Sequence, residues 1–516
     1  MTAIPARVSL WRYSPALVLL TIVIADIRQL SDPDLWIHLL SGRELLAHGF
    51  LPPTNIYSYA APNFRWLHHE WLSEAIMSAL FDHYGPFGLK LLKFICTACT
   101  ISFIVSAEGE TGAPAIAQAA ILLVAAVIVI PSMQFRPQIF DFLALSAIVA
   151  LLSRHNWRRT ARLWLAIPLV VIWCNLHGGF FIGLLAMAVY GAAIILQDIF
   201  AGRGPRRGLV ILAITAAAAA STLCTFLIPP ARQTWYTLAA SILNPTTSAT
   251  IIDWKPLLAS LTTAPPGSLQ QKYFALVLFF FAAAIVSVIL TPKANDAPLV
   301  AVAAVLLAAS FAAQRNIAIA TIALVPVFAN HLGRLMRPRD PIAARPPAIS
   351  RAGRIAAEVL IGAVAIALAG SSGILKRGID APGVPASAIK FMNRHGLSGN
   401  VLADYASAGF VIWHGGPRTK VFIDSRYDLA YPPTVIADFL ALDRAEPGAA
   451  HTLAIYPTDF VLTAPGRPEA NLMDRQPDWR LIYSDSDARL YARANSPAAH
   501  LEGIPVKGAV LFTKFP

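Results

Sequence analysis

The chain has 516 residues, of which 56% are hydrophobic and only 14% charged, and its formal net charge is +12. Soluble domains carry roughly a quarter charged residues, so an ordinary soluble fold is excluded. The positive excess sits in short links between apolar runs, which argues for membrane topology and against nucleic acid as a partner.

Apolar runs alternate with polar links until about residue 380, after which the composition becomes ordinary. This predicts an α-helical polytopic membrane domain over 1–375, with a long first outer loop at 31–86, and an extracytoplasmic α/β domain over 376–516. At about 20 residues per span, candidate spans lie near 14–30, 87–107, 114–131, 136–152, 162–175, 179–197, 209–228, 273–291, 297–313, 316–333 and 355–374, eleven in all. The first follows Arg7 and Arg12 without a small-residue cleavage site after it, and reads as a retained span rather than a signal peptide. Cys96, Cys99, Cys174 and Cys224 all fall in apolar runs and read as buried thiols.

Basic residues in short loops orient the spans. Arg154, Arg158 and Arg159, then Arg203, Arg206 and Arg207, then the run from Arg334 to Arg354 fall on one side, which predicts a cytoplasmic N-terminus. The C-terminal domain is then outside, and the chain belongs to a bacterial-type cytoplasmic membrane.

The first outer loop is too long for a connector. It opens on Asp32-Pro33-Asp34, a helix start with Asp32 as cap. The segment 35–48 follows, with an apolar face that predicts an amphipathic helix along the outer membrane surface. Further on, His69 and Glu70 join Asp32 and Asp34 at the interface, where ionisable groups are functional candidates. Capping by Asp32 and simple solvation of Glu70 are the structural alternatives. Other outer turns repeat the theme with Arg136 and Gln138, with His177 in Asn175-Leu176-His177-Gly178-Gly179, and with Arg315 and Asn316. Snorkelling arginines and a packing histidine are the alternatives there.

Beyond residue 380, short β-like runs at 401–403, 410–413, 420–423, 460–462 and 481–483 and a helix at 433–442 predict the α/β domain. Asp424, Arg426 and Asp428 stand close together there, as a cover for the membrane site, an acceptor grip or an ion pair. Carboxylates and arginines gathered at one membrane face suit an anionic, lipid-linked ligand. A carboxylate can take a proton from an acceptor hydroxyl while arginine stabilises a departing phosphate.

The run Asp32-Pro33-Asp34-Leu35-Trp36-Ile37-His38-Leu39, with Gly42, His48-Gly49-Phe50-Leu51-Pro52, Trp66 and His69-Glu70-Trp71-Leu72, resembles a group of bacterial multispan proteins. These in turn resemble the glycosyltransferase C superfamily, near the protein O-mannosyltransferase and aminoarabinose transferase type. The resemblance extends through Arg136-Pro137-Gln138, Arg315-Asn316, 409–413 and 421–426. It implies transfer of a sugar from a polyprenyl-phosphate donor, outside the cytoplasm, to an acceptor the sequence does not name. By position it makes Asp32 or Asp34 the first catalytic carboxylate and Glu70 a second. His69-Glu70 replaces the Asp-Glu of mannosyltransferases, which leaves the division of roles open. Divalent-metal use varies within the superfamily, so the cofactor stays open too. In this scheme Asp34 is base or metal ligand, Glu70 and His69 position the acceptor, and Arg136 and Arg315 hold phosphate. Gln138, His177 and Asn316 are further binding residues, and membrane lipids are the surroundings. A flippase for a lipid-linked saccharide and a non-catalytic envelope assembly protein are the rival readings.

Overall fold

The computed structural model describes Asp32 and residues 34–66, 68–109, 111, 113–158, 162–228, 254–292, 296–336 and 384–501. It divides into two compact units: Met1–Gln29, Lys90–Ile228 and Ala240–Leu375, and Leu30–Leu89, Pro229–Ala239 and Lys376–Pro516.

The first unit is helical. Among the described residues, six helices are long and apolar enough to cross a membrane: Pro86–Gly109, Ile139–Arg158, Phe180–Phe200, Arg206–Leu223, Leu269–Leu290 and Gln314–Leu335. Three more apolar helices, Ala117–Ser132, Leu163–Leu176 and Ala297–Ala312, are shorter. Together they match nine of the expected spans; 14–30 and 355–374 lie outside the described residues. The chain is therefore a multi-pass membrane protein. The expected spans at 162–175 and 179–197 are separate helices, broken at His177-Gly178-Gly179.

The helix Ile317–Leu335 is the most enclosed of the six. Its small residues let neighbours approach, and a Cβ on Gly333 would lie 2.7 Å from that of Ala113. Near its end Asn330 donates to Asp296 Oδ2 at 2.6 Å and His331 Nε2 lies 3.3 Å from Asp296 Oδ1. Cys96 and Cys174 are buried as expected, whereas Cys99 and Cys224 are exposed on faces that the protein itself does not cover.

The second unit joins the first long loop to the C-terminal segment. In the loop, α1 (Leu35–His48) and α2 (Trp71–Tyr84) lie side by side. Gly42 permits the contact, because a Cβ there would stand 2.0 Å from the Glu74 carbonyl oxygen. The helix begins at Leu35, with Asp34 rather than Asp32 at the cap position. Most of its apolar face, expected along the membrane surface, is covered by protein: Leu35, Trp36, Leu39 and Leu40 are buried, and Trp36 packs on Phe81, Phe410 and Trp413, while Leu46 stays exposed.

The C-terminal segment builds a five-stranded sheet in the order β2-β1-β3-β5-β4, from β1 (Asn400–Ala403), β2 (Lys420–Val421), β3 (Phe460–Thr463), β4 (Trp479–Ser484) and β5 (Arg489–Arg493). The first three are parallel, with Val401 opposite Val421 and Phe460; β5 pairs antiparallel with β3 and β4. The expected helix is α3 (Pro433–Asp443). One strand expectation fails: 410–413 lies within a helix, α4 (Ala408–Gly415). Asp404 starts it, accepting the amides of Ala406 and Ser407, and every residue from Ala408 to His414 is buried. A short run that is buried on all sides carries no periodicity to separate helix from strand.

The loop also completes the sheet edge. Val421 N donates to Tyr57 O at 2.9 Å and Tyr59 N to Val421 O at 3.1 Å, so residues 57–59 pair beside β2 and remove an open edge. Arg426 fixes this seam. Its Nε donates to Asp424 Oδ1 at 2.8 Å and its Nη2 to Asn55 Oδ1 at 2.9 Å, while its guanidinium lies 4.2 Å from the Trp66 ring centroid. Of the readings for Asp424 and Arg426, the ion pair is the one observed, and it is buried.

Candidate functional site

The loop helices gather the acidic residues in the second unit. Asp32 is buried, and its Oδ1 accepts the Asp34 amide at 2.8 Å, setting the turn that enters α1. Asp34 makes no side-chain cap bond to that helix. Likewise Glu70 precedes α2 without capping it through its side chain. Neither carboxylate is consumed in holding its own helix end.

His38 lies one turn along α1 and faces α2. Its Nδ1 is 3.1 Å from Glu74 Oε1 and 3.5 Å from Glu70 Oε2, and His69 Nε2 is 3.3 Å from Glu70 Oε1. Burial disfavours the His38 cation, but the hydrogen bond to Glu74 and the charges of Glu70, Glu74 and Asp34 outweigh it. Together they raise the imidazole pKa to about 9. Glu74 is pushed up, first by its own burial.

His38 and Glu74 were not singled out from the sequence, although a signal was present. Asp34 and His38, and Glu70 and Glu74, are each one helical turn apart, so each pair shares a face. One ligand atom from each of His38, Glu70 and Glu74 lies within 4.8 Å of the other two. Imidazole with two carboxylates is a donor set suited to zinc or manganese, so these residues fit a divalent ion.

In the first unit, Arg136 and Gln138 form the turn before the helix Ile139–Arg158, their carbonyls accepting the amides of Ile139 and Asp141 at 3.1 and 2.9 Å. Asp141 is buried and organises this region. Trp173 Nε1 donates to its Oδ1 at 2.6 Å, and His177 Nδ1 meets its Oδ2 at 2.6 Å. The Gly179 amide also comes within 3.2 Å of His177 Nδ1. One nitrogen cannot both donate and accept, and the shorter contact to the carboxylate takes the proton. A Cβ on Gly179 would lie 2.4 Å from the Asp141 carboxyl, so glycine is required where the chain turns past it.

Two cations here were also missed by sequence reading. Lys90 and Lys93 are buried, and Lys93 Nζ lies 5.0 Å from the ring centroid of Phe135, next to Arg136. Inside an apolar run their charge was masked by the neighbours' hydropathy. Arg315 stacks over Trp254 at 4.7 Å, and Asn316 Nδ2 donates to Ala309 O at 3.0 Å, tying its helix to the preceding one.

No family model and no curated protein matches this sequence. Solved structures do match. The Archaeoglobus fulgidus oligosaccharyltransferase AglB, in complex with an inhibitory peptide and a dolichol-phosphate, is 14% identical, with a TM-score of 0.51 over 96% of this chain and 75% of that one. Its apo form is similar over 97% of this chain and 76% of that one, at 13% identity and the same TM-score of 0.51. The mycobacterial arabinofuranosyltransferase AftD is 15% identical, with a TM-score of 0.51 over 96% of this chain but only 42% of its own length. At such identity the likeness is one of fold. It is the fold that the resemblance to the glycosyltransferase C superfamily implied.

Proposed function

We propose that the chain is a membrane glycosyltransferase that takes a sugar from a polyprenyl-phosphate donor and passes it to an acceptor hydroxyl on the extracytoplasmic face. The observation that carries this reading is the acidic cluster of the loop helices. Asp34 and Glu70 stand at two helix starts without capping them, and Glu70 is held between His38 and His69. The shared fold with AglB, whose structure holds a dolichol-phosphate, and with AftD supports the donor class.

In the reaction the acceptor oxygen attacks the anomeric carbon with inversion, and the bond from that carbon to the phosphate oxygen breaks. Asp34, with Asp32 beside it, takes the acceptor proton as general base. Glu70 and His69 orient the hydroxyl. Arg136 and Arg315 receive the departing polyprenyl phosphate, with Gln138, His177 and Asn316 as supporting polar groups. Lys90 and Lys93 add buried positive charge in the same unit, with Lys93 against the ring of Phe135. A divalent ion held by His38, Glu70 and Glu74 would supply Lewis-acid charge. The basic links orient the chain with its N-terminus in the cytoplasm of a bacterial inner membrane and its C-terminal domain outside.

The test follows release of free polyprenyl phosphate from radiolabelled polyprenyl-phosphate sugars by purified protein supplemented with a membrane extract as acceptor source. Release should depend on Asp34 and fall on the order of 100-fold or more in Asp34→Asn. Full activity in both Asp34→Asn and Glu70→Gln, each shown to be folded, would sink the reading.

A further inference from the structure

The buried carboxylate of Asp141 has no place in the transfer steps above, yet three residues of the helical unit are arranged around it. It stands in the first turn of the helix Ile139–Arg158. Trp173 and His177 reach it from successive turns of a second helix, where the His177 amide donates to the Trp173 carbonyl at 2.9 Å. Oδ1 accepts Trp173 Nε1 and Oδ2 meets His177 Nδ1, each at 2.6 Å. Glycines bring the next turn of chain against the group. A Cβ on Gly179 would lie 2.4 Å from the Asp141 carboxyl, and one on Gly183 would lie 2.6 Å from the Trp173 ring.

These atoms do not exchange roles. An indole N–H only donates, so the atom of residue 141 that faces Trp173 has to accept. The other oxygen is then the one that His177 answers, and it holds the imidazole proton on Nδ1. The bond made by one ring nitrogen decides how the other is used. Every further contact of the His177 ring through nitrogen is therefore made by Nε2.

We propose that Asp141 is a positioning residue for sugar transfer: together with Trp173 it fixes His177 so that Nε2 is the nitrogen that meets the substrate. This role rests on the glycosyltransferase reading, in which His177 is one of the polar groups at the polyprenyl phosphate. Substitution by the isosteric amide separates it from packing. In Asp141→Asn the indole keeps the amide oxygen, so the amide nitrogen is delivered to His177 Nδ1, and the Gly179 amide already lies 3.2 Å from that atom. Two donors there displace the imidazole proton to Nε2. Adding Trp173→Phe frees the amide to turn over and return its oxygen to Nδ1.

The tautomer is read by nitrogen-15 NMR of imidazole-labelled full-length protein, the His177 signal being identified by its loss in His177→Gln. The parent should carry a proton on Nδ1, and Asp141→Asn should carry its proton on Nε2 alone. Release of free polyprenyl phosphate from polyprenyl-phosphate sugars should fall at least about tenfold in Asp141→Asn, as expected for a histidine held in the wrong tautomer. It should fall less in Trp173→Phe, and the double variant should regain activity over Asp141→Asn. A packing role predicts the opposite, with the double variant the worst of the three. An unprotonated Nδ1 in the parent would overturn the proposal even where Asp141→Asn does not fold. So would full transfer by Asp141→Asn in an active background, or a double variant no better than Asp141→Asn, and either would leave the transfer reading standing. A folded parent that releases no polyprenyl phosphate from any donor would overturn that reading and this role with it.

Discussion

The Asp424–Arg426 cluster and the His38–Glu70–Glu74 cluster lie in one unit and bury ions of the same kinds, yet their charges are balanced differently. Around Arg426 the guanidinium meets Asp424 through two nitrogens, Asn55 Oδ1 accepts from one of the same two, Tyr431 donates to the same carboxylate, and the Trp66 ring lies against one face. One cation answers one anion. Around His38, three carboxylates, those of Glu70, Glu74 and Asp34, crowd one imidazole and raise its pKa to about 9. A cluster that closes its own charge holds the fold. Under the proposed function, the one that keeps an acidic excess, at the cost of burying Glu74, is the one that meets a ligand.

The largest expected effects test that division directly. Glu70→Gln should cut transfer by roughly 100- to 10,000-fold, the range for a lost acid–base or positioning carboxylate, while leaving the thermal midpoint within a few degrees. Arg426→Met should do the reverse. Removing one partner of a buried ion pair costs about 3–5 kcal/mol, which thermal unfolding would show as a marked drop. Pairing it with Asp424→Leu should recover much of that loss. If Glu70→Gln unfolds the protein while Arg426→Met leaves it stable but inactive, the two clusters have been assigned the wrong way round.

A smaller effect is expected at Gly42, which sets the spacing between His38 on α1 and Glu74 on α2. A methyl there meets the Glu74 carbonyl and must push the helices apart. Overpacking of this kind costs about 1–3 kcal/mol. Gly42→Ala should therefore lower both stability and transfer, and should raise KM less than it lowers kcat, since it moves groups without removing any. Chelation sharpens the same point. If His38, Glu70 and Glu74 hold a divalent ion, EDTA should abolish activity in the parent protein, zinc or manganese should restore it, and Glu74→Gln should weaken the restoring metal by 10-fold or more. Activity untouched by EDTA would leave the three residues as an ion-paired group only.

These residues also mark where sequence reading reached its limit. The spans were legible because lipid imposes a length and an apolarity that no neighbour can mask. Asp32, Asp34, His69 and Glu70 stood out in the sequence because charged residues between apolar runs are conspicuous. His38 was not, although it sits one turn after Asp34, because its meaning depends on a second helix more than 30 residues later. Lys90 and Lys93 were lost inside an apolar run. The stretch 410–413 misled because full burial erases the alternation that separates strand from helix. Least visible was the seam at Arg426, Asn55 and Trp66, since nothing in a linear reading ties residues 52–66 to residues 420–431.

The smallest effect compares two histidines of the same unit. His38 is held up by carboxylates, whereas His414 is surrounded by Trp36 and Phe410, and burial lowers its pKa from 6.5 to about 3. The sign follows from linkage. Above pH 6.5 His414 is neutral folded or unfolded and has no effect on stability. Below it the unfolded chain takes up a proton that the folded chain refuses, so stability falls as pH drops. Between pH 6.5 and 5 the loss amounts to about 2 kcal/mol at 1.36 kcal/mol per pKa unit, and buried His68, lowered by burial to about 3, adds in the same direction. Unfolding midpoints measured across that range should decline in the parent protein and decline less in His414→Phe. An equal acid limb in both would mean that His414 is reached by water or by a carboxylate in the folded state, and would place it with His38.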